Sequence, residues 1–235
     1  GVKYKATRRK KQAIVAFEKC AEASERQGSE WHAGKHLEQC AQLAKDLKQH
    51  DQVVAYAERA CAAYVSAGRA QRGAECLGKT ARLIDEAAPD DAYALAIKAC
   101  TMLEDDDKAS YARDFYSLAG AIRMRQEMFA EAAETMLRFG ASCDAGEAHA
   151  SLRKAYLSAI VAHLYAGDGA EAQSCYADVS DVQSFQDSEE QRCAYALVCA
   201  YRDGDGDAVT SAIARSNALT FLDAPFARAA RKLPR

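Results

Sequence analysis

His32, His36 and Cys40 fall at i, i+4 and i+8 on one face of a single helix, a spacing that could present ligands to zinc or a similar ion. No second cluster on another segment supplies a fourth ligand, so packing into the core or its flank is the competing reading and the favoured one. Asp203–Asp207 reads DGDGD, like the opening of a calcium loop. Such a loop needs glycine after the third acid and glutamate at its twelfth position. Ala208 and Ala214 stand there instead, so the segment reads as a solvated turn whose Asp207 begins a helix. GxSxG, GxxxxGK[ST] and GxGxxG are all missing, and the nine cysteines and five histidines pair only by chance. No enzyme is expected, with no catalytic residue, no metal and no cofactor.

The remaining chemistry is charge. Residues 1–82 hold 16 Lys/Arg and 9 Asp/Glu, whereas residues 83–235 hold 15 and 25, so a net charge of -3 conceals a basic first part and an acidic second. Local potential steers encounter, so the two parts should prefer different partners, unless these are only the solvated faces of unrelated helices. Arg8–Lys11 reads RRKK, which could touch anionic headgroups or an acidic helix. It is too short, and lacks the interleaved aromatics, for nucleic acid, which is not an expected partner. Glu104–Asp107 reads EDDD, with Asp107 fitting an N-cap and the surplus acids facing solvent or a basic partner.

These charges ride on helices. Only three prolines and 13 glycines occur, alanine is abundant, and nothing alternates as a strand would. Ala16, Ala55, Ala94, Ala133 and Ala172 stand 39 residues apart, and Asp51, Asp90, Phe129, Asp168 and Asp207 follow the same period. A period near 40 marks stacked helical hairpins. The registered alanines are expected at close helix crossings, facing Ala41, Ala44, Ala81, Ala119, Ala121, Ala159 and Ala162. Helices are expected over 7–27, 30–48, 52–67, 70–87, 91–105, 108–126, 128–141, 145–166, 169–179, 187–203, 206–216 and 223–232. Gly28, Gly68 and Gly140 read as stops, Ser29, Asp51, Asp90 and Asp168 as N-caps, and Pro89 as a barrier to the preceding helix. The cysteines are expected as reduced, mostly buried thiols. The longest apolar run, Ala155–Tyr165, contains His163 and is too short to span a bilayer. The start at Gly1 reads as that of a trimmed chain.

Several ordered strings resemble the SNAP family, the soluble NSF attachment proteins, and within it the gamma branch. They are HAGKHLEQCAQLAKDLKQHDQVVAYAERACAAYVSAG (His32–Gly68), DAYALAIKACTMLEDDDKAS (Asp91–Ser110), FAEAAETML (Phe129–Leu137), FQDSEEQR (Phe185–Arg192) and LTFLDAPFARAARKLP (Leu219–Pro234). The resemblance implies an all-α fold: a TPR-like right-handed superhelix of antiparallel hairpins over 1–180, then a helical bundle over 181–235. It implies a cytoplasmic adaptor that lies on the SNARE complex and recruits the AAA+ ATPase NSF, with peripheral membrane association. A generic TPR-like scaffold with unrelated clients is the alternative, although the usual TPR period is 34 residues.

Family members use basic residues toward the SNARE bundle and a C-terminal region toward NSF. Candidates for the first are Arg8, Arg9, Lys10, Lys11, Lys79, Arg82, Arg123, Arg125, Arg153 and Lys154. Candidates for the second are Asp187, Glu189, Glu190, Asp203, Asp205 and Asp207. The family's hydrophobic N-terminal loop and its NSF-stimulating tail have no counterpart in these residues, so this chain is expected to bind yet stimulate NSF poorly.

Overall fold

The computed structural model describes residues 2–106 and 108–233. The expected Asp107 cap and the ends Gly1, Pro234 and Arg235 lie outside them. The described residues form α-helices and short 3-10 turns without strands, the all-α class expected. The helices are α1 (Val2–Arg26), α2 (Glu30–Asp46), α3 (His50–Ser66), α4 (Ala70–Ile84), α5 (Pro89–Asp105), α6 (Arg113–Arg125), α7 (Phe129–Ala145), α8 (His149–Tyr165), α9 (Gly169–Ser180), α10 (Glu189–Asp203), α11 (Gly206–Arg215) and α12 (Ala224–Arg231). Turns of 3-10 helix occupy Ala109–Tyr111 and Ala218–Phe221.

The repeat is visible in the turns. Left-handed backbone recurs at Gly28, Lys48 and Gly68, then at Glu127, Glu147, Gly167 and Asp187. At most of these a backbone N–H one residue on bonds the carbonyl five residues earlier, as in Ser29 to Ser24 (2.8 Å), Gln49 to Ala44 (3.0 Å), Arg69 to Tyr64 (2.8 Å) and Ala148 to Cys143 (2.8 Å). That bond satisfies carbonyls stranded at the helix end and reverses the chain. The α4–α5 turn differs: Ala88 N–H bonds Ile84, and Pro89 opens α5 at the position where its missing N–H costs nothing.

The alanine register has the right period, but its phase holds only at its last two members. Ala133 and Ala172 are buried, but Ala16, Ala55 and Ala94 are exposed. The buried repeat is Val53, Ala57, Ala60 and Tyr64 in α3, then Ala92, Ala96, Ala99 and Leu103 in α5, then Ala132, Met136, Phe139 and Cys143 in α7. Gly28 and Gly68 end helices, whereas Gly140 lies inside α7, where a Cβ would run into the Tyr156 ring. The helix therefore continues to Ala145, and α8 begins at His149 rather than 145. Asp168 caps α9, accepting from Glu171 N–H at 3.0 Å. Asp51, Asp90 and Asp207 sit two positions too late to cap and instead place negative charge in first turns, which the helix dipole favours. Ser29 occupies the cap position, but its hydroxyl meets His32 Nδ1 at 2.7 Å.

Backbone contacts divide the chain into two compact units, residues 1–115 and 116–235. In the first, successive helices α1 to α5 pack each on the next. Polar ties cross between them: Tyr56 Oη donates to Glu18 (2.7 Å), Tyr64 Oη donates to Glu38 (3.0 Å), Arg72 bonds both Glu38 oxygens (2.8 and 2.9 Å), and Lys98 meets Glu58 (2.7 Å). In the second unit α8 is central, with α7, α9, α10 and α12 packed against it. Every side chain from Ala155 to Ala162 is buried. A helix apolar around its whole circumference needs neighbours on all sides, which explains the bundle.

Candidate functional site

Of the basic candidates of the first unit, Arg82 lines one cleft and Lys10 is tied to its rim through Asp46. Residues 10 and 46 are equidistant from the turn at Gly28, so the α1–α2 hairpin brings them level, and Lys10 Nζ reaches Asp46 at 2.7 Å. This hydrogen bond and charge hold the Asp46 carboxyl below its ordinary value. Asp46 and Arg82 line one cleft of about 610 Å3 at the ends of α2 and α4, together with Lys45, Lys48 and His50. The sequence reading missed these last three; the hairpin arithmetic that pairs Lys10 with Asp46 would have found them. The rim is mixed in sign, since Asp85 and Glu86 also line it. Arg8, Arg9 and Lys11 are exposed on α1, whereas Lys10 is partly occupied. Lys79 stands 3.8 Å from Glu75, and Arg82 meets Asp114 at 3.2 Å with its guanidinium over Phe115.

In the second unit the basic candidates scatter. Arg123 is only 8% exposed; its guanidinium meets Glu131 at 2.8 Å and Gln126 at 2.8 Å. That ion pair ties α6 to α7 and leaves little of Arg123 for a partner. Arg125 is exposed at the end of α6. Arg153 donates to the His149 carbonyl (3.2 Å), and the Lys154 ammonium lies 5.8 Å from the Phe221 ring, itself 65% exposed.

The acidic candidates form two groups at opposite ends of α10, separated by about 21 Å at 1.5 Å per residue. Glu189 and Glu190 occupy its first turn, with Asp187 just before. Glu189 accepts from the backbone N–H groups of Asn217 (3.0 Å) and Ala218 (3.2 Å), which anchors the 3-10 turn. At the other end Asp203, Asp205 and Asp207 line one open depression. Asp203 pairs with Arg202 at 2.9 Å, and that hydrogen bond holds its carboxyl pKa below the ordinary value. Asp205, not Asp207, caps α11, accepting from Ala208 N–H at 2.9 Å.

The histidine and cysteine candidates have structural occupations. His36 stacks on Phe17 at 6.0 Å, and the buried Cys40 thiol points to the Ile14 carbonyl at 3.7 Å. Burial raises the Cys40 thiol to about 11 and Cys175 to about 12, so both stay protonated at neutral pH. Among the described residues no three His, Cys, Asp or Glu side chains are grouped to hold a metal ion, and no helix is long and apolar enough to cross a membrane.

The chain is similar to a gamma-soluble NSF attachment protein of Arabidopsis thaliana, with 38% identity over 98% of this chain and 79% of the relative. It is also similar to a gamma-soluble NSF attachment protein of Dictyostelium discoideum, with 26% identity over 86% of this chain and 62% of the relative. The soluble NSF attachment protein family pattern matches residues 1–225. With an all-helical repeat of the expected period beneath that match, the chain belongs to the soluble NSF attachment protein (SNAP) family.

Proposed function

We propose that this chain is a gamma-SNAP-like adaptor that binds assembled SNARE complexes and recruits the ATPase NSF for their disassembly, performing no chemistry itself. The observation that carries the reading is the family match along residues 1–225. The charge division supports it, with basic residues on the first unit and acidic groups at both ends of α10. Residues 1–180 act as the hairpin array toward the SNARE bundle and 181–235 as the bundle toward NSF. Association with a membrane is peripheral and follows from holding SNAREs.

Arg8, Arg9, Lys11, Lys79 and Arg82 are the SNARE-facing set in this proposal, with Lys10, Arg125, Arg153 and Lys154 as lesser contributors. Arg123 is left out because Glu131 occupies it. Asp187, Glu190, Asp203, Asp205 and Asp207 face NSF, and Glu189 holds the turn beside them. Exposed pairs are each worth roughly 0–1 kcal/mol, so affinity arises from several acting together and weakens with salt.

The test is capture of an assembled SNARE complex at low and raised salt. The R8E/R9E/K11E and K79E/R82E variants should each lose about tenfold in affinity, and their combination should abolish capture. Capture that is insensitive to both salt and reversal removes these residues from the site.

A further inference from the structure

We propose that the groove between α10 and α11 binds one small amphiphilic monoanion, an aliphatic carboxylate. The left-handed Gly204 reverses the chain, and only Gly204 and Asp205 separate the two helices, which run antiparallel. Each gives one face to the groove, with residues at i, i+3, i+4 and i+7. From α10 these are Glu189, Arg192, Cys193 and Ala196, and from α11 Ala208, Ser211, Ala212 and Arg215. α11 packs chiefly on α10, and Val209 is its one buried side chain. Alanine, serine and cysteine stand where leucine would fill the seam, so a groove of about 380 Å3 stays open.

Charge divides the groove along its length. The antiparallel return brings the end of α11 level with the start of α10, so Arg192, Arg215 and Glu189 share one end. Ala196, Ala208 and Ala212 line the remainder. Glu189 accepts from the backbone N–H groups of Asn217 and Ala218, at 3.0 and 3.2 Å, and pairs with neither arginine. Arg192 Nε donates to the Ser188 carbonyl at 3.3 Å, which leaves its other donors free. The Arg215 side chain has no ion-pair or hydrogen-bond partner among the described residues. The α11 C-terminus brings about half a negative charge to Arg215, and the α10 N-terminus about half a positive one to Glu189, so the two ends cancel. Two arginines and one carboxylate then leave a single positive charge, the complement of a monoanion. Burial holds the Cys193 thiol above its ordinary pKa, so it forms a neutral part of the wall. Size completes the description. A groove of about 380 Å3 equals the space of about a dozen waters at ~30 Å3 each, and falls within the range of small-molecule sites. That space suits a carboxylate with a chain of about ten carbons, its head at the arginines and its tail along the alanines.

Titration of the full chain with decanoate, followed by the alanine methyl signals in NMR and by calorimetry, tests the site. It is run at about 0.15 M salt, where diffuse attraction is screened beyond ~8 Å, and below micelle formation. Decanoate should bind saturably with a Kd below about 1 mM and shift the Ala196, Ala208 and Ala212 methyls. Acetate has the head without the tail, and decyltrimethylammonium the tail with the opposite charge. Each should bind at least about tenfold more weakly. R215E changes the surplus from positive to negative and should reverse the preference between decanoate and decyltrimethylammonium. K232E makes the same change of net charge on α12, outside the groove, and should leave both affinities as they were. A212F fills the apolar stretch and should weaken decanoate about tenfold or more. Arg215 is exposed, so the R215E result does not depend on how A212F packs. Decanoate that fails to bind, binds no better than acetate or decyltrimethylammonium, or binds R215E as it binds the unchanged chain overturns the proposal. The SNARE-capture result is independent of this outcome, since Ala212 and Arg215 belong to neither charged set proposed above.

Discussion

The two units use different means to hold helices together. In residues 1–115 each helix packs mainly on its neighbours in sequence, and partly buried tyrosine, glutamate and arginine groups stitch them. In residues 116–235 the helices surround α8, and aromatic pairs join the Arg123–Glu131 ion pair as ties: Tyr116 on Phe139 at 5.2 Å and Tyr156 against Phe185 at 5.6 Å. A linear array tolerates local change because each contact involves one interface. A wrapped helix does not, since one displaced side chain disturbs several neighbours at once.

Methyl insertion measures that difference with the largest expected effect. A Cβ at Gly140 meets the buried Tyr156 ring, and a Cβ at Gly78 meets the buried Phe115 ring. G140A should cost about 3 kcal/mol, because Tyr156 is pinned by Phe185 and overpacking outweighs alanine's helix preference of ~1 kcal/mol. G78A should cost about 2 kcal/mol. Urea unfolding gives both magnitudes, and hydrogen exchange gives their reach. G140A should lower protection in α7, α8, α9 and α10, and G78A only in α4, α5 and the first turn of α6. Equal spread in the two variants would abolish the distinction between the units.

Next in size is the polar stitching. Glu38 receives Arg72 and Tyr64 together, and Arg72 also stacks over the Tyr64 ring at 5.3 Å. R72M should destabilise by about 1–2 kcal/mol, since it leaves a half-buried carboxylate with one donor. The double variant R72M/E38L should recover part of that loss, because removing both partners spares the desolvation of one. No recovery in the double variant would mean that the stem of Arg72, not its charge, holds α2 to α4.

How much of this was legible follows from what a residue type can signal. Gly28 and Gly68 announced their turns because a left-handed residue favours glycine. Lys48, Glu127 and Glu147 adopt the same conformation with nothing in their identity to show it, so the 20-residue rhythm of turns was hidden. Gly140 has the same letter as a stop yet serves packing; only Tyr156, from another helix, reveals this. The alanine series revealed the period but could not reveal the phase, because an exposed position repeats as faithfully as a buried one. Among the site candidates, the withdrawal of Arg123 depends on Glu131 across a turn, and the gathering of Lys45, Lys48 and Arg82 depends on how hairpins end. The hidden rhythm yields a prediction. K48G and E147G should each stabilise by about 0.5–1 kcal/mol in thermal melts by relieving left-handed strain, and a loss would show that those side chains make a compensating contact.

The smallest expected effect distinguishes the units by pH. His163 on α8 is half-buried in the second unit, and burial lowers its pKa below the ordinary 6.5, despite Glu171 and Asp168, which act to raise it. The unfolded chain therefore binds a proton more readily than the folded one over that interval. This stability is present in full above the unfolded pKa and is lost as pH falls below it toward the folded value. Asp46, in the first unit, is lowered by its bond to Lys10. Its contribution persists through that range and is lost only as pH falls below the ordinary carboxyl value of 3.8. Melting followed between pH 7 and pH 5 should show a decline that H163Q makes shallower and D46N leaves unchanged. A slope unaffected by H163Q would mean that the imidazole reaches water as α8 breathes, so the centre of the second unit would be looser than its burial implies.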